Sequence, residues 1–84
     1  MLQIKLKIID SITLKPINNA LVLVDLGNNS HSTFTYTDGI AIFKNLDLEF
    51  DSMTITIAAK GYTLLTLYKI EPSGYTIVAP LKKL

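Results

Sequence analysis

The sequence predicts an all-β fold, a seven-stranded antiparallel β-sandwich. Three observations predict it. Apolar residues recur at every second position in several short segments, these segments follow one another about every ten residues, and turn chemistry separates them. No segment shows the 3.6-residue apolar period of a helix, and there is no internal repeat, low-complexity tract or linker. At 84 residues the chain is one domain, residues 1–84.

The stretch Met53 to Tyr62 organises the rest. Met53, Ile55, Ile57 and Ala59 fall on one face of a strand over 53–60, with Thr54, Thr56 and Lys60 between them. Gly61 allows a bend, and Tyr62 buries its ring while its hydroxyl reaches a polar partner. In chain order, Leu2, Ile4, Leu6 and Ile8 alternate with Gln3, Lys5 and Lys7, which predicts a strand over 2–9 with lysines outward. Residues 10–19 form a loop punctuated by Pro16 and Asn18-Asn19. Residues 20–26 are a strand with Ala20, Val22 and Val24 on one face. Residues 27–30 are a turn, and 31–37 a strand rich in threonine and aromatics. Asp38-Gly39 is a hairpin signal leading into a strand over 40–44, with Ala41 and Phe43 on one face. An acidic loop over 45–52, pinned by Leu46, Leu48 and Phe50, precedes the strand at 53–60. Strands over 63–70 and 75–81 follow, separated by a Pro72-Ser73-Gly74 turn, with Pro80 near the last strand's end.

At this point the residues resemble a known family. Asp10, Pro16-Ile17, Asn19-Ala20-x-Val22-x-Val24, Thr37-Asp38-Gly39, Phe43, Leu46 and the run from Met53 to Gly61-Tyr62 stand in the order of the carboxypeptidase regulatory-like domain. The resemblance covers about residues 4–70. It implies a transthyretin-like (prealbumin-like), Ig-like Greek-key sandwich acting as a non-catalytic accessory module.

Composition narrows function. Net charge is +1, and the eight basic residues are all lysine and scattered, so there is no electrostatic case for nucleic acid. The absence of cysteine removes disulfides, thiol catalysis and thiolate metal sites. No run approaches membrane-spanning length, so membrane insertion is not expected. The N-terminus lacks a continuous apolar core and a small-residue cleavage site, so the chain is expected to be made in the cytoplasm without a signal peptide.

The search for chemistry yields no catalytic, metal or cofactor residues. His31 is the only histidine and reads as a loop-edge side chain rather than a ligand or base. Asp47, Glu49 and Asp51 lack the glycine and terminal glutamate of a calcium loop and read as a solvated turn. Asp38 caps its own turn. Tyr36, Tyr62, Tyr68 and Tyr75 would be needed for a sugar-stacking platform, without tryptophan to support it. No glycine-rich phosphate loop is present, and the chain is read as not an enzyme.

One anomaly carries the functional expectation. Leu21, Leu23, Ile40 and Ile42 face away from the assigned core, and the strand over 63–70 is apolar on both faces. Either a strand is mis-phased or covered by loops, or an outer face packs against another protein. Each such side chain, buried on association, contributes roughly 1.5–3 kcal/mol. Leu21, Leu23, Ile40, Ile42, Leu64 and Tyr68 are therefore the candidate interface residues; the sequence leaves open whether they form one patch. The expected function is a non-catalytic structural or interaction subunit of a larger assembly or homo-oligomer. Small size and stand-alone form suit an auxiliary or decoration protein of a viral capsid, hence a virion-associated chain. The alternative is a carbohydrate- or peptide-binding accessory module.

Overall fold

A computed structural model describes residues 2–27, 29–46, 52–71 and 76–84. Seven strands form, in the predicted order: β1 Leu2–Asp10, β2 Leu21–Asp25, β3 Ser30–Phe34, β4 Ile40–Leu46, β5 Met53–Ala58, β6 Leu65–Ile70 and β7 Ile77–Leu81. They make a three-stranded sheet, β4-β1-β7, and a four-stranded sheet, β3-β2-β5-β6.

The period-two pattern decides which side of each strand is buried. Ile4, Leu6 and Ile8 of β1 face Val22 and Val24 of β2 and Met53, Ile55 and Ile57 of β5 in one core, joined by Ala41, Phe43, Ala79 and Leu81. The predicted phases of β1, β2, β4 and β5 hold. β3 ends at Phe34 rather than Thr37, and the buried Thr35 follows it with its side chain inward. Its Oγ1 donates to Ile17 O at 2.6 Å and accepts from Ala20 N at 2.9 Å, so a buried hydroxyl closes the loop before β2.

The sheets are not wholly antiparallel, which corrects the sequence expectation. β7 runs parallel to β1, Lys7 beside Val78 and Ile9 beside Pro80. The chain reaches β7 from the opposite sheet after β6, and it docks along the flank of β1 that β4 leaves open. A parallel pair needs a long crossover, and here the whole intervening chain supplies it. Pro80 sits on this edge strand, where a missing donor is tolerated.

Two register shifts mark bulges. Leu2 pairs with Leu46 and Ile4 with Phe43, so β4 holds an extra residue, and Asn45 there adopts φ 57. Met53 pairs with Ile70 and Ile55 with Leu67, so β6 holds another, with Lys69 at φ 54. Gly39 is required in its turn. Its φ is +74, and a Cβ would lie 2.6 Å from Ile8 O and 2.9 Å from Pro16 Cβ. This close approach lets its carbonyl accept from Ile8 N at 2.8 Å.

Candidate functional site

The outer side of the four-stranded sheet is built in rows across the strands. Leu21 stands between Phe34 on β3 and Ala58 on β5. The next row runs Ser32, Leu23, Thr56 and Thr66. The third runs Ser30, Asp25 and Thr54. Asp25 is the one charged residue in these rows, and its Oδ1 accepts from Gly27 N at 3.0 Å. The outer side of the three-stranded sheet is different. Ile42 lies beside Lys5, and Lys7 lies between Ile40 and Val78.

The six candidate interface residues divide accordingly. Leu21 and Leu23 are exposed on the four-stranded sheet, Tyr68 is exposed on β6, and Leu64 is exposed just before it. Ile42 is exposed and Ile40 half-buried on β4, in the other sheet. They do not make one patch on a single face. Two hollows at the β3 side bring part of the set together, and Phe34 lines both. One, of about 260 Å³, places Thr33, Phe34 and Tyr36 opposite Ile40, Ile42 and Lys44, with Asp38 at the turn. The other, of about 460 Å³, groups Phe34 with Ile17, Ala59, Asn18, Asn19 and Lys60. Phe34 was not among the sequence candidates. More than half of its surface, 56%, is open to solvent, an unusual placement for a phenylalanine. The signal was in Thr33-Phe34-Thr35: once Thr35 is known to point inward, Phe34 must point out.

The other predicted groups are placed as follows. Asp38 Oδ1 accepts from Ile40 N at 2.9 Å, capping its own turn. His31 Nε2 lies 2.9 Å from Asn29 Oδ1 in an exposed position. Tyr62 donates its hydroxyl to Asp10 Oδ2 at 2.9 Å, the polar partner expected for it. Asp10 Oδ1 also accepts from Ile12 N at 2.8 Å and Thr13 N at 3.0 Å. The backbone N–H groups of Thr13 and Ile12, then the Tyr62 hydroxyl, hold this carboxyl down to about 2. The same bond raises the Tyr62 phenol. This partly buried pair joins the end of β1 in one sheet to the chain after β5 in the other, and acts as an inter-sheet clip.

The tyrosine platform does not assemble from the described residues. Tyr36 follows β3 and Tyr68 lies on β6, at opposite edges of the four-stranded sheet, and Tyr62 is tied to Asp10. Tyr75 and the carboxylates Asp47, Glu49 and Asp51 lie outside the described residues. Among the described residues no cluster of three or more His, Cys, Asp or Glu is placed to hold a metal, and no helix is long and apolar enough to cross a membrane. No protein-family model matches the sequence, and neither does any curated protein.

Proposed function

We propose that the chain is a non-catalytic interaction module, a structural subunit that packs the outer side of its four-stranded sheet against another protein. The observation that carries this reading is the uncharged lane Phe34–Leu21–Ala58 with Leu23 beside it, exposed on β3 and β2 and half-buried at Ala58 on β5. Protein interfaces are depleted of charge and enriched in aromatics at their centres, and this lane has both properties. The fold is proposed to be a Greek-key sandwich of the transthyretin-like kind. That rests on the motif order in the sequence and on the strand orders β4-β1-β7 and β3-β2-β5-β6. A capsid auxiliary protein is one assembly in which such a subunit would serve. Light scattering with chemical cross-linking, on the purified chain and in its native cells, tests the reading. A complex larger than the monomer is expected; a strict monomer with no cross-linked partner contradicts it.

A second reading, a carbohydrate-binding accessory module, is favoured by one observation. The larger hollow is lined by Asn18, Asn19 and Lys60 together with Phe34. Amide donors beside an aromatic surface suit a sugar. Glycan-array binding that disappears in Phe34→Ala and Asn18→Ala would support it; an array without signal rejects it.

A further inference from the structure

The two sheets have four edges, and three are guarded. β4 carries Lys44 and the Asn45 bulge, β6 carries the Lys69 bulge, and β7 carries Pro80. β3 has no proline, lysine or bulge and pairs with β2 in unbroken register from Leu21–Phe34 to Asp25–Ser30. The phase of that ladder is fixed at both ends. Thr35 N donates to Ala20 O, and Leu26 N donates to Asn29 O, each at 2.9 Å. Bonded pairs alternate in an antiparallel ladder, so Val22–Thr33 and Val24–His31 are bonded pairs. The N–H and C=O groups of Ser30, Ser32 and Phe34 therefore point away from β2, along an open edge.

The smaller hollow lies against this edge, walled by Phe34, Tyr36, Ile40 and Ile42. Its two charged residues are not equivalent. The Asp38 carboxylate is engaged by Ile40 N, whereas Lys44 makes no ion pair among the described residues. The site thus offers three backbone donors, three acceptors, an apolar trough and, beside the Asp38 carboxylate, a lysine ammonium with no ion pair among the described residues.

We propose that the free edge of β3 is a strand-addition site for an extended segment of another protein, apolar at alternate positions and carrying a carboxylate. The segment pairs with Ser30, Ser32 and Phe34 through its backbone, seats alternate apolar side chains in the trough, and meets Lys44 with its acid. The proposal rests on the interaction reading above and specifies the partner. A second copy fits the site less well. Its own edge, Ser-His-Ser-Thr-Phe, presents one large apolar side chain and no carboxylate for Lys44.

A random peptide library panned on the full chain, followed by amide hydrogen exchange of the bound complex, tests this. Enriched peptides are expected to alternate apolar residues and to include Asp or Glu, and binding should protect the amides of Ser30, Ser32 and Phe34. Ser32→Pro removes an outward donor without touching the β2 ladder and should weaken binding about tenfold. Lys44→Glu, a surface change that leaves the core intact, should switch the selected charge from acidic to basic. No enrichment, peptides that leave the three amides unprotected, or indifference to both variants overturns the proposal. Concentration-dependent protection of these amides without peptide assigns the edge to a second copy and also overturns it. If Leu21 and Leu23 contact a partner while the β3 amides stay open in that complex, strand addition fails and the interaction reading stands.

Discussion

The two outer sides of the sandwich expose similar apolar residues and differ in where charge is placed. On the three-stranded side, Ile40, Ile42 and Val78 each have Lys5 or Lys7 as a cross-strand neighbour. Lysine stems lie along apolar surface while their ammonium groups stay in water, and this opposes contact with another sheet. On the four-stranded side, Leu21 and Leu23 have Phe34, Ala58, Ser32 and Thr56 as neighbours, all uncharged. Interface centres are depleted of charge, so it is the lack of interleaved lysine, more than apolar exposure alone, that supports the proposal for the four-stranded side.

The largest effect that sharpens this contrast lies within the four-stranded sheet. Ile57→Ala, on the buried side of β5, should cost about 2–5 kcal/mol in urea unfolding. Leu21→Ala, on the outer side of neighbouring β2, should stay within about 1 kcal/mol. Equal losses would mean that Leu21 serves the fold rather than a partner. Next, Leu21→Lys combined with Leu23→Lys gives this side the charge pattern of the other. Each leucine should remove roughly 1.5–3 kcal/mol of association free energy, read by sedimentation, with an unchanged circular dichroism spectrum. The reverse exchange, Lys5→Thr with Lys7→Thr, takes the formal net charge from +1 to −1. It should produce weaker, new self-association through the three-stranded side, detected by light scattering.

The smallest effect concerns the clip that joins the two sheets. Asp10 titrates near 2 when folded against an ordinary 3.8. Its contribution is therefore present above pH 3.8 and is lost as pH falls towards 2. Tyr62 is raised above its ordinary 10.0, so its contribution is present below that value and is lost as pH rises through the folded one. Tyr62→Phe removes one of three bonds to Asp10, raises the folded Asp10 pKa, and should flatten both limbs of the pH–stability curve. Unfolding midpoints measured across acid and alkaline buffers check this; unchanged limbs would separate the clip from stability.

Much of the fold was legible because half-buried strands repeat with period two. Leu2 to Ile8 and Met53 to Ala59 announce both strand and phase, and Asp38-Gly39 announces its turn. The parallel placement of β7 was not legible, since Ile77–Leu81 carries no mark of its neighbour's direction. The bulges at Asn45 and Lys69 were hidden because neither residue is a glycine, the usual sign of positive φ. For the site, Leu21 and Leu23 were readable as apolar residues out of phase with a well-marked core. Their separation from Ile40 and Ile42 was not, because sheet membership depends on long-range pairing. Phe34 escaped notice because its phase is set by Thr35, whose inward bonds to Ile17 and Ala20 come from distant loop geometry.

The most direct measurement places a photo-reactive side chain at position 23 on one outer side and at position 5 on the other, in the chain expressed in its native cells. Protein adducts from position 23, with none from position 5, are the predicted result. Equal yields from both positions, or adducts from position 5 alone, would contradict the assignment of the uncharged side as the interface.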